Sequence, residues 1–118
     1  MPFEIQESSG SLVSVKIKSI LKKSELDQMQ EVAKKAIERE GKVRILVTLD
    51  NFLGWERGDD WGDISFDIKH DKDIEKIAIV GDEKWRDLAL AFLAKPFRPM
   101  EIKYFDSSQI DRARSWIT

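Results

Sequence analysis

Apolar and polar residues alternate with period two at the start of the chain. Phe3 to Ser8 and Leu12 to Lys18 are short β-rich runs on either side of the turn signal Ser9-Gly10-Ser11. In the second run Val13, Val15 and Ile17 point one way and Leu12, Ser14, Lys16 and Lys18 the other, which predicts a hairpin with one strongly apolar face. From Ser24 the period becomes helical. Leu26, Met29, Ala33, Ala36 and Ile37 form one stripe, Ser24 and Asp27 supply an N-terminal cap, and Gly41 stands where a helix ends. The opposite face, with Gln28, Glu31, Lys34, Lys35, Glu38 and Arg39, reads as solvated.

Val43 to Leu49 and Ile74 to Val80 are apolar on both faces, as inner strands covered by helices on both sides are. Asp82 caps a predicted helix from Glu83 to Ala94 that Pro96 ends. Met100 to Phe105 makes a last strand, and Asp106 with Gln109 caps a final helix closing at Trp116-Ile117. With a helix expected between the two inner strands, the order is ββαβαβαβα. That alternation after a hairpin predicts an α/β domain with a mixed sheet whose later strands are parallel.

Two segments carry more apolar surface than a scaffold needs. Between Asp50 and Asp73, Trp61, Ile64, Ser65 and Ile68 fall on one helical stripe, while Phe66 lies about 140° from Trp61. Trp55, if helical, shares the side of Phe66. Gly54, Gly58 and Gly62, four apart, weaken the start of this helix. A helix apolar on two sides and loosely attached is a lid over a cavity, a surface for lipid or a partner chain, or a segment whose Trp55 and Phe66 fold back on neighbouring loops. The helix from Glu83 repeats the theme. Trp85, Leu88, Ala89 and Phe92 form its inward stripe, Leu90, Ala91, Leu93 and Ala94 make the other faces apolar, and Pro96-Phe97 follows. Such a helix needs a neighbouring subunit, a bound apolar molecule or a tightly packed neighbour.

Composition narrows the function classes. The chain has 118 residues, 42% hydrophobic and 36% charged, with no cysteine and a net charge of −2. One domain is expected, without disulfides, thiolate metal sites or thiol chemistry. The basic residues Lys16, Lys18, Lys22, Lys23 and Lys103 alternate with acids, so no nucleic-acid partner is expected. Neither a secretory signal nor an apolar run of about 20 residues is present, which predicts a cytoplasmic protein. The single histidine, His70, stands among Lys69, Asp71, Lys72 and Asp73 at a helix end, the place of an imidazolium facing the helix dipole rather than a catalytic base. Asp59, Asp60 and Asp63 lack the spacing of a calcium loop and suit a helix start. Gly81-Asp82-Glu83 is no phosphate cradle. No catalysis, metal or cofactor is expected.

Gly54-Trp55, Trp61 with Asp63, Phe66 and His70, Val80-Gly81-Asp82 with Trp85, Pro96-Phe97, Tyr104-Phe105 and Trp116 together resemble the SpoIIAA-like family, within the STAS and CRAL-TRIO-like group of small α/β domains. The resemblance implies a mixed five-stranded sheet with four helices, a homodimer, no established catalysis, and a mobile helix after the third strand, here Trp55 to His70. Its CRAL-TRIO side implies a carrier of small apolar or amphiphilic molecules, with peripheral contact to membranes. Its STAS side implies a regulatory protein-interaction module. True anti-anti-sigma factors place a phosphorylatable serine just after the third strand; here that junction reads Asp50 to Trp55, and the first following serine is Ser65. The expected ligand or lid residues are Trp55, Trp61, Ile64, Phe66 and Ile68. Leu88, Phe92, Phe97 and Trp116 are expected at a pocket wall or dimer seam.

Overall fold

The computed structural model describes residues 3–9, 11–55, 71–93 and 100–117, with backbone only at 3–9, 71, 92 and 93. Phe3–Ser9 (β1) and Leu12–Leu21 (β2) form the predicted antiparallel hairpin. β2 then pairs in parallel with Val43–Trp55 (β3), β3 with Ile74–Gly81 (β4), and β4 with Glu101–Asp106 (β5). The result is one mixed sheet in the order β1-β2-β3-β4-β5, with four mutually parallel strands. Three α-helices lie among the described residues: Lys23–Glu40 (α1), Arg86–Leu93 (α2) and Ile110–Ile117 (α3). The helix expected over 55–70 falls outside the described residues apart from Trp55, which is a strand residue.

Two apolar layers follow from the period of two. Val13, Val15, Ile77 and Ile79 meet Ala36 and Ile37 of α1, with Met29 and Val32 alongside. Leu46, Ala78 and Val80, one register step away, meet Ala113 and Ile117 of α3 on the opposite face. β4 is buried without a break from Ile77 to Gly81, as an inner strand covered on both faces must be. Ser14, expected on a polar face, is fully buried beside Leu46, because α3 and its neighbours close that side as well.

The helix ends show which local rules prevailed. α1 starts two residues earlier than the Ser24 cap predicts: extended Lys22 holds the cap position, and the buried Glu25 carboxylate accepts its backbone N–H at 2.8 Å. Asp27 instead pairs with Lys23 one turn back. Gly41 ends the helix at φ 88°, its N–H bonded to the Ile37 carbonyl. Asp82 and Asp106 cap as predicted, each accepting the backbone N–H two residues on, at 3.0 Å. Each opens a short 3-10 turn, Glu83–Trp85 and Ser107–Gln109, before the α-helix proper.

That turn corrects the expected inward stripe of Trp85, Leu88, Ala89 and Phe92. Trp85 belongs to the 3-10 turn and the α-helix proper begins at Arg86, so Trp85 does not set the inward phase of α2. Ala89 is buried, whereas Leu88 is 55% exposed.

Candidate functional site

The carboxyl ends of the four parallel strands form one edge, the place where open α/β sheets hold ligands. β2 and β3 run past the end of β4: the β3–β4 register stops at Thr48↔Val80, while β2 and β3 stay paired to Leu21↔Trp55. The sequence predicts a strand ending at Leu49, with Gly54 at the weakened start of a helix. Instead, the ten-residue β2 offers a ladder beyond that point, and β3 follows it by bulging.

The register gives the bulges directly. Lys18 faces Asp50, Ser19 faces Phe52 and Ile20 faces Gly54, so Asn51 and Leu53 have no opposite number. Ser19 (φ 56°) and Asn51 (φ 52°) both lie in the left-handed region, which is costly for a residue with a Cβ and mildest for asparagine. Gly54, at φ 113°, takes a conformation that a side chain resists.

Those dihedrals change which side chains meet. In a regular strand, residues three apart point to opposite faces. Here Leu49, Phe52 and Trp55 all join one cluster with Ile17, Leu21, Met29 and Trp85. Phe52 is 5% exposed and stands edge-on to both indoles, with centroids 5.1 Å from Trp55 and 5.0 Å from Trp85. The indoles are 6.1 Å apart at 78°. Such edge-to-face pairs suit the ring quadrupoles. A Cβ on Gly54 would lie 3.5 Å from the six-membered ring of Trp85, an ordinary contact, so the backbone angle and not the space calls for glycine here. Trp55 and Trp85 are half-buried, and the Lys84 ammonium lies 5.8 Å from the Trp85 ring centroid. On the same ribbon Ile20 is 43% and Leu53 64% exposed.

An acidic rim borders this edge. The Tyr104 hydroxyl donates to the Asp82 carbonyl at 2.6 Å. Burial, then the charges of Asp82, Glu83 and Asp106, push the phenol up to about 12. A Cβ on Gly81 would lie 2.7 Å from the Tyr104 hydroxyl and 2.9 Å from Leu49 Cβ, so the bare backbone is what lets this tyrosine settle. Asp106 is held below the usual carboxylate range by hydrogen bonds from the Ser108 hydroxyl and N–H.

Of the residues expected at a ligand site or lid, Trp55 belongs to this cluster, as the last residue of β3 and not as a helix residue. Trp61, Ile64, Phe66 and Ile68 lie outside the described residues, as do His70 and the Asp59, Asp60 and Asp63 group. Leu88 is exposed on α2, where Phe92 has only its backbone described, and Phe97 lies outside. Trp116 sits across the sheet with α3, 6.0 Å from Phe105, with the Lys76 and Lys103 ammoniums 4.9 and 5.2 Å from its ring centroid. It shares no surface with Trp55. Phe52 and Tyr104 entered no expected site; the clue was Phe52-x-Gly54-Trp55, a glycine placed to reverse strand parity between two aromatics.

Among the described residues no group of three His, Cys, Asp or Glu side chains is placed to hold a metal. No helix among them is long and apolar enough to cross a membrane.

A small α/β domain with four parallel strands, an antiparallel hairpin strand and an aromatic carboxyl edge is the class these features define. The SpoIIAA-like family model matches residues 12–118, and the chain belongs to that family. Its fold is similar to the crystal structure of an uncharacterized protein of the DUF3478 family, with a SpoIIAA-like fold, from Shewanella loihica PV-4. The TM-score is 0.71 at 22% identity, covering 98% of this chain and 92% of that one. None of the curated proteins matches the chain.

Proposed function

We propose that the protein is a non-enzymatic binding domain that carries or senses a small apolar or amphiphilic molecule at the carboxyl edge of its sheet. The observation that carries this reading is the Phe52–Trp55–Trp85 cluster, whose two indoles remain half-open where α/β domains take ligands. The rings pack on one another at 5–6 Å, leaving no cage between them, so a ligand lies across the indoles. Covering the open part of an indole removes up to roughly 100 Å² from water, about 2–3 kcal/mol at 25 cal/mol per Å². An acyl chain supplies that cover, and the same surface then meets a bilayer from the cytoplasmic side during exchange.

The test is a titration of intrinsic fluorescence with oleate and, separately, with phosphatidylcholine vesicles, beside native mass spectrometry of the purified chain. A saturable blue shift that Trp55→Ala abolishes is the expected result. Indole emission indifferent to both probes, with no co-purifying apolar mass, defeats the reading.

The second reading, a regulatory protein-interaction module or homodimer of the STAS kind without a phosphorylatable serine, is favoured by Leu88, 55% exposed on α2. A concentration-dependent mass that Leu88→Lys returns to the monomer value, with no response to oleate, decides for it.

A further inference from the structure

The outer part of the β2–β3 ribbon holds more chain than its ladder uses. Up to Lys18↔Asp50 the two strands are offset by a constant step; by Leu21↔Trp55, β3 has absorbed two additional residues, Asn51 and Leu53. Holding them requires positive φ at Ser19 and Asn51, and it leaves Leu53 64% exposed. Ile20 and Leu53 are two of the three large apolar side chains exposed among the described residues.

A regular continuation of the same ladder pairs Ser19 with Asn51, Ile20 with Phe52 and Leu21 with Leu53. Both left-handed residues then return to ordinary extended backbone. Strand parity turns Leu53 inward beside Leu21 and sends Phe52 to the other face. Trp55 moves outward by two residues, about 7 Å at 3.3 Å per residue, and leaves Trp85. The two registers exchange Phe52 for Leu53 in the core: the observed one buries a phenylalanine and its aromatic contacts, and the regular one relieves strain at two positions while turning the Ser19 and Asn51 side chains to the inner face. Nothing in β4 opposes the exchange, since its pairing with β3 ends at Thr48↔Val80. The change is confined to a two-stranded ribbon.

We infer that the end of β3 is a two-register switch, in which the bulges at Asn51 and Leu53 store two residues that can be paid out, trading Phe52 for Leu53 in the core and uncoupling Trp55 from Trp85. The switch stands whether or not a ligand binds the cluster. An apolar molecule bound across both indoles favours the bulged register alone, because only there do the indoles lie together.

The native chain contains no cysteine, so Leu53→Cys introduces a single reporter thiol. In the bulged register it is exposed and reacts fast with a maleimide. Asn51→Val, a β-branched residue that resists positive φ, is expected to slow its labelling at least tenfold and to weaken the near-ultraviolet circular dichroism of the coupled indoles, with far-ultraviolet signal retained. Asn51→Gly is expected to leave labelling fast. In the otherwise native chain, amide exchange should show residues 19–21 and 51–55 opening together, more readily than β4, with the opening suppressed at least threefold by Asn51→Gly. If labelling in the folded Asn51→Val protein stays fast, or that variant loses its sheet altogether, no second packed register exists. Exchange in which 51–55 opens only with β4 overturns the inference independently of that variant.

Discussion

Truncating Phe52 to alanine is the sharpest test of the cluster. The ring is 5% exposed and lies edge-on to two indoles at 5.0 and 5.1 Å. Phe→Ala in a packed interior costs about 3–5 kcal/mol, the loss of both aromatic contacts included. Against a total of about 5–15 kcal/mol for a domain of this size, that is a large share. The lower part of the range is expected here, because the regular register of the ribbon offers Leu53 in place of the lost ring. Urea unfolding followed by circular dichroism measures the loss as a shift in midpoint at constant slope. A double-mutant cycle with Trp85→Ala isolates the ring–ring share, expected at about 0.5–1.5 kcal/mol. Indole emission in Phe52→Ala should move to the red as both tryptophans lose a neighbour. A loss below about 1 kcal/mol with unchanged emission refutes the cluster as part of the core.

Gly54→Ala should cost about 1–3 kcal/mol, because its φ of 113° resists any Cβ; thermal unfolding reads this. Gly81→Ala should destabilise as well and release Tyr104, since the new Cβ falls 2.9 Å from Leu49 Cβ and 2.7 Å from the tyrosine hydroxyl; the near-ultraviolet spectrum reports the tyrosine's release. Tyr104 itself should ionise near pH 12 in a spectrophotometric titration at 295 nm, well above its ordinary 10. The native state holds that proton more tightly than the unfolded chain does. The stabilisation it contributes is therefore whole below about pH 10 and fades as pH climbs towards 12.

The sheet, its order along the chain and two of the three helix starts could be read before any coordinates, because each rests on a local rule with one outcome. Period-two alternation placed Val13, Val15 and Ile17 inside, and the side chains of Asp82 and Asp106 announced their caps. The ribbon end was not legible. Asp50, Asn51 and Gly54 have the composition of a turn, and only a partner strand reaching to Leu21 makes extended pairing the better use of their backbone groups. Trp55 was therefore expected on a helix, and Phe52 in no site. The phase of α2 was lost for a smaller reason: Trp85, counted on its inward stripe, belongs to the 3-10 turn ahead of it, and Leu88 lies exposed. Lys22 took the cap of α1 over Ser24 because the reciprocal bond from Glu25 needs nothing from the cap's own side chain.

The strands lie side by side in the order in which they are synthesised. Each parallel pairing joins residues roughly 25–34 apart, so no strand waits for a distant part of the chain before it finds its neighbour. Such a sheet can be laid down sideways, like planks added to a deck, with β5 and α3 fastened last. Loss of that final plank would strip the cover from Leu46, Ala78 and Val80 and open one face of the sheet to water.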